Sequence, residues 1–202
     1  MTNWSHKWYF LLVLLLALAG CYSPRSNVTQ VLSPSQPIVK DSFSLLPLNE
    51  SGWVSFGQND GLWLGTRGSE ENETRVVTAF VRPMPANMTD DGFFTFAKSV
   101  KKVDGPGWLK VLKQEAWKDN STGKDCVKVH TTLRDSNPRV AVKKPDPTMI
   151  IDSLYWVCKH SDGKKAVIVE YSHRFYPEGE DAGFAKKAET VFQGFEFVTG
   201  KR

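Results

Sequence analysis

The side chains of this chain that could do chemistry are the thiols of Cys21, Cys126 and Cys158, the imidazoles of His130, His160 and His173, and the carboxylates of Glu115 and Glu170, which sit in strand-like runs. Cys126 and His130 are four residues apart and Cys158 and His160 two apart. On strands both spacings place the pair on one face. Two such strands side by side could offer two thiolates and two imidazoles to zinc, although these spacings are not those of the common zinc modules. A serine hydrolase needs a nucleophile beside a histidine and an acid, and the chain has no G-x-S-x-G. Glycosidase chemistry needs two facing carboxylates in a cleft, and nothing in the sequence brings Glu115 and Glu170 together. Gly61, Gly65 and Gly68 are spaced as turn residues between strands rather than as a phosphate-cradling loop. The histidines read as surface or satisfied core residues. The sequence thus reads as non-enzymatic, with no catalytic residue, metal or cofactor assigned.

Cys21 stands apart, because it ends the stretch Leu18-Ala19-Gly20-Cys21 after an apolar run over residues 8–18. A spanning helix needs about 20 apolar residues, and this run stops short of that. A basic start at Lys7, a short apolar core and small residues at the cut are the parts of a secretion signal. The stretch resembles the lipobox of bacterial lipoproteins, which implies diacylglycerol on the Cys21 thiol, cleavage before it and acylation of the new amino terminus. Residues 1–20 are then a signal peptide. Two or three acyl chains anchor a protein firmly where one gives marginal binding. By the same resemblance an aspartate after the lipidated cysteine retains a lipoprotein in the inner membrane, and Tyr22 does not impose that retention, so the outer membrane of the cell envelope is expected over the inner. With Cys21 modified, Cys126 and Cys158 are an even pair in an oxidising compartment and read as one disulfide, with the zinc arrangement as the alternative.

Loss of Lys7 with the signal leaves 25 basic against 22 acidic side chains. The charges are interspersed, and a nucleic-acid binder would show a stronger basic stripe. Residues 21–40, rich in Ser, Pro, Asn and Gln, read as a flexible tether. Residues 41–202 are enough for a single domain with its own core.

Within that domain short strands are expected over residues 41–48, 53–56 and 62–67, and a clear one over 74–82, where TRVVTAFVR is β-branched and ends at a proline. Thr89-Asp90-Asp91 then offers a helix cap. Phe93, Phe96, Ala97, Val100 and Val103 follow at three- and four-residue steps, giving an amphipathic helix that ends at Gly105-Pro106-Gly107. Strands over 108–118 and 124–134 form one hairpin, and strands over 149–160 and 164–176 another across Ser161-Asp162-Gly163. In the second strand Val127, Val129, Thr131 and Leu133 share one face and Cys126, Lys128, His130 and Thr132 the other. A second helix over 180–192 and a short strand Phe195-Glu196-Phe197-Val198 close the chain. This order predicts an α+β fold: an antiparallel sheet with two helices.

An early strand running into a turn and a tryptophan (FSLLPLNESGW), a helix opening after Asp90-Asp91, two long hairpins and a final helix running into an aromatic strand (ETVFQGFEFV) resemble the PsbP-like fold, whose members include the DcrB-like bacterial envelope proteins. The resemblance implies six or seven antiparallel strands between helices and a binding or assembly module. Trp53, Trp63, Trp108, Trp117 and Trp156 are expected mostly to fill the core, although tryptophan is also common at binding hot spots.

Residues 135–148 form a long loop with three prolines and the cations Arg139, Lys143 and Lys144. A loop of that length is usually functional or disordered, and these three are the candidate partner-binding residues. The function expected is a membrane-anchored envelope lipoprotein binding a protein partner as an assembly, stabilising or immunity factor. The alternative is a carrier or sensor holding a small apolar ligand between sheet and helix, and a hydrolase with an unrecognised site comes third.

Overall fold

The computed structural model describes residues 28–30, 35–56, 61–68, 72–101, 107–138 and 145–198. In chain order these form β1 (Val28–Gln30), β2 (Ile38–Val39), β3 (Phe43–Leu45), β4 (Val54–Phe56), β5 (Gly61–Arg67) and β6 (Thr74–Pro83). After α1 (Asp90–Ser99) come β7 (Leu109–Asp119), β8 (Cys126–Asp135), β9 (Met149–Lys159), β10 (Lys165–Phe175), α2 (Phe184–Gln193) and β11 (Phe195–Phe197). The fold is α+β, as the element order predicts.

The strands divide into two sheets. Eight pair antiparallel in the order β1-β4-β5-β6-β10-β9-β8-β7, and β11-β3-β2 form a separate sheet of three. The expected antiparallel sheet of about six or seven strands is the large one, with eight, and β3 and β11, first and last of the expected strands, pair with each other outside it. Two strands also fall within residues 21–40. β1 pairs with β4 and β2 with β3, so sheet formation starts before residue 41.

β9 and β10 are the centre, because apolar residues alternate onto two buried faces. On one face Tyr155, Val157, Ala166 and Ile168 join Val127 and Val129 of β8 beneath Phe93 and Ala97 of α1. On the other, Trp156, Cys158, Val167, Val169 and Tyr171 meet Phe184, Ala188, Val191 and Phe192 of α2 and Phe43, Leu45 and Phe195 of the small sheet. The Trp156 and Phe192 rings stack at 4.5 Å with 3° between their planes, while the indole N–H donates to Asp119 at 2.8 Å. Of the five tryptophans named above only Trp53 and Trp156 are core residues. Trp63, Trp108 and Trp117 are 38%, 37% and 41% exposed, which corrects the expectation that most would be buried.

Local signals explain the helix ends. Thr89 caps α1 by accepting from the Gly92 N–H at 3.1 Å, filling one of the donors a helix start leaves open. The helix stops at Ser99, earlier than expected; residues 102–106 of its expected end lie outside the described residues. α2 starts at a glycine with no side-chain cap of its own. Asp181 takes over that role, accepting from the Gly183 N–H at 2.8 Å and from Lys187 at 2.7 Å. Burial pushes the Asp181 carboxyl up, but these bonds and the charges of Lys187 and Arg75 prevail and hold it below the usual carboxylate range.

Cys126 and Cys158 lie directly opposite each other on β8 and β9 and form a disulfide, with a Cα–Cα distance of 4.1 Å. The ring it closes spans 32 positions of sequence separation. Replacing both cysteines with alanine is expected to lower unfolding stability by about 4 kcal/mol on loop-closure grounds, read by urea denaturation under non-reducing conditions. For Asp181, a lowered folded pKa means stability that is present above the unfolded pKa and lost as pH falls through the folded one. Asp181→Asn should therefore cost about 1 kcal/mol at neutral pH. The gap to the native chain should close as the pH is lowered below about 4, checked by denaturation across a pH series.

Candidate functional site

The α1 side of the large sheet is covered on one half only. α1 lies over β8, β9 and β10, whereas among the described residues no helix covers β4, β5 and β6. Strand parity sends Val54, Phe56, Trp63, Val76, Phe80 and Arg82 to this open half. Phe56 is 46% exposed. Gly65 of β5 makes room for the aromatic ring beside it. A Cβ on Gly65 would stand 2.9 Å from the Phe56 ring, too close to fit, while one on Gly61 would meet the Ala79 carbonyl oxygen at 3.3 Å and the Trp63 indole nitrogen only at ordinary contact distance. Gly61 and Gly65 are thus strand residues, not the turn residues their spacing suggested.

Where the open half meets α1 there is a cavity of about 690 Å³, lined by Trp63, Val76, Phe80, Val100 and the polar trio Thr78, Lys101 and Glu170. A second cavity of about 550 Å³ continues from it across Val76 to Val54, Phe56, Gly65 and Arg67. Trp63, Thr78, Glu170 and Tyr155 are successive cross-strand neighbours from β5 to β9. Glu170 is buried in this row. One of its oxygens accepts from Thr78 at 3.1 Å, and the other from Lys101, which reaches in from the end of α1. The Lys101 ammonium also lies 5.6 Å from the centre of the Tyr155 ring. Burial, with the neighbouring Glu170 charge adding to it, pushes the Tyr155 hydroxyl up to about 12. Arg82 sits at the same end, its guanidinium carbon 5.4 Å above the Phe80 ring centre.

On the opposite face the histidines find carboxylates. His130 bonds Asp152 at 2.7 Å, His173 bonds Glu73 at 2.6 Å, and His160 lies 3.1 Å from Asp162. The hydroxyl nearest the first pair, Thr132, donates to Asp152 at 2.9 Å, so it is directed at the acid and not at the imidazole. Beside Asp152 and His173 is a cavity of about 190 Å³, below the size of ordinary ligand sites. The zinc arrangement is overturned, because the sulfurs of Cys126 and Cys158 are bonded to each other and neither is a thiolate. Glu115 and Glu170 lie on opposite faces of the sheet, and Glu115 pairs with Lys113 at 2.9 Å.

Cys21 and the loop cations Arg139, Lys143 and Lys144 lie outside the described residues. Sequence reasoning missed the groove lined by Trp63, Arg82, Lys101 and Glu170. Two signals were available. Trp63 alternates with the buried Leu62 and Leu64, and Glu170 interrupts the apolar run AVIVEY.

No protein-family model matches the sequence, and no curated protein matches it. Among solved structures it is similar to one described as LpqN involved in cell envelope biogenesis of Mycobacterium tuberculosis. The two share 11% identity with a TM-score of 0.40, over 85% of this chain and 89% of that one. A likeness of that extent fixes neither family nor function.

Lys101→Met would leave the buried Glu170 carboxylate with Thr78 alone. The expected loss is about 2 kcal/mol in urea denaturation, below the usual cost of breaking a buried pair because Lys101 is partly solvated. Adding Glu170→Met should recover most of it, since no buried charge then remains.

Proposed function

We propose that this chain is an envelope lipoprotein anchored through acylated Cys21 in the outer membrane, since Tyr22 does not impose inner-membrane retention, and that its α+β domain binds a ligand without transforming it. The observation that carries the reading is the open half of the α1 face, where apolar side chains line two adjoining cavities and Glu170, the only carboxylate of either lining among the described residues, is already paired. Cavities of a few hundred cubic ångströms with apolar walls and a few fixed polar groups are the usual form of a small-molecule site. A carrier or sensor of an apolar or amphipathic molecule fits this better than an enzyme, since the one hydroxyl bonded to a carboxylate in the lining, Thr78, shares that carboxylate with the Lys101 ammonium, which holds Glu170 as an ion pair rather than as a free base.

A protein partner keeps one observation in its favour. β7 is an edge strand of 11 residues with Val111 and Leu112 half-exposed beside Trp108 and Trp117. Against strand addition stand Lys110, Lys113 and Lys118 and the register shift between Val111 and Lys113, features that keep sheet edges from pairing. Arg139, Lys143 and Lys144 remain the loop cations of that second reading.

The test is native mass spectrometry of the full chain extracted gently from its own membrane. A bound small molecule at one per chain is expected, and Trp63→Ala should deplete it. A stoichiometric protein with no small molecule would promote the assembly or immunity reading, and a bare chain would overturn the carrier. The denatured mass should show acylation at Cys21 and the loss of the two thiol hydrogens of Cys126 and Cys158.

A further inference from the structure

The charges around the open groove are unequal. Glu170, Lys101 and Arg82 are the ionisable residues of the larger cavity. Glu170 is saturated by Thr78 and Lys101, which offsets the Lys101 charge. Arg82 has no carboxylate partner among the described residues; it is held only against the Phe80 ring. The α1 end of the groove therefore carries one uncompensated positive charge, on a side chain whose forked N–H groups suit carboxylate or phosphate oxygens. Away from it the lining turns apolar through Trp63, Val76 and Phe56, and only at its far end meets the exposed Arg67 and the half-buried Arg75, the latter paired with Glu73. Along β6 the distance from Arg82 to Thr74 is about 26 Å at roughly 3.3 Å per residue, long enough for a long acyl chain lying extended.

We propose that the groove holds a single-chain amphiphile with one anionic head group, its head at Arg82 beside Lys101 and its tail along β5 and β6 toward Phe56. This rests on the ligand-binding reading above and names the ligand class. A cavity of about 690 Å³ is sized for one compact ligand, which favours one chain over two. The head group is either the carboxylate of a fatty acid or the phosphate of a lysophospholipid, and both offer the oxygens Arg82 would bind.

The experiment is photo-labelling of the full chain in its own membrane with three probes that carry a diazirine in the tail: palmitate, hexadecanol and palmitoyl-lysophosphatidylglycerol. Labelled peptides are mapped by mass spectrometry. The anionic probes are expected to label the segment bearing Trp63 and Phe80 at least five-fold more than the alcohol. Whichever anionic probe labels more identifies the source of the head group. Arg82→Ala, an exposed change outside the core, should bring the anionic probes down to the level of the alcohol and leave the alcohol unchanged. Trp63→Ala should reduce all three. Equal labelling by acid and alcohol, or labelling indifferent to Arg82→Ala, would overturn the head-group assignment while leaving the ligand-binding reading intact. If no probe labels β5 or β6, both fall.

Discussion

The structure depends on β9 and β10 being buried on both faces. Each strand sends alternate side chains into two separate cores, so neither can be exposed without opening both. Tyr155 and Ile168 hold α1 on one side, and Trp156 and Tyr171 hold α2 on the other. The flanking strands inherit their register from this pair. A slip of one residue would exchange the two faces and send Glu170 into the α2 core.

Helix dimensions then explain the open groove. A helix of ten residues is about 15 Å long and covers a width of roughly 10 Å, or two strands at about 4.8 Å spacing. Eight strands present far more surface than that. α2 shares its face with the three-stranded sheet, which supplies Phe43, Leu45 and Phe195 as further cover. α1 has no such helper among the described residues, and its face therefore stays open over β4, β5 and β6. What lies there is not simply exposed apolar surface. Gly65 seats Phe56 close to the backbone, and the Lys101 and Glu170 pair closes the border with α1.

Much of this architecture was legible in the residues because the long strands carry their period locally. The runs read as 108–118, 124–134, 149–160 and 164–176 match β7 to β10 to within two residues. Thr89 marked its helix start by the same local logic. What the sequence withheld was partnership. Phe43–Leu45 and Phe195–Phe197 look like any short strands, and nothing local says that they pair with each other and leave the main sheet. β1 and β2 were hidden because strands of two or three residues, VTQ and IV, are too short to carry a period of their own and depend on their neighbours for support. The groove failed to show for a related reason. Lys101 and Glu170 are 69 positions apart, and only the sheet order brings a residue after α1 over the middle of β10. The cysteine pair was legible because its chemistry offers few partners, whereas the histidines gave no hint of Asp152 or Glu73.

The disulfide has one further consequence. β7 and β8, like β9 and β10, are joined by tight turns, but β8 and β9 are connected through residues 136–148, with Cys126 bonded to Cys158 at the far end of the same strand pair. Strand, loop, strand and sulfur bridge make a closed covalent ring. A protease that cuts the loop converts the ring into a linear bridge without separating the two halves of the chain. The nicked protein would run as one species until reduced, and its sheet would keep every pairing between β8 and β9. The domain is thus built so that its longest connection can be severed, lengthened or engaged by another molecule without dividing the molecule that carries it.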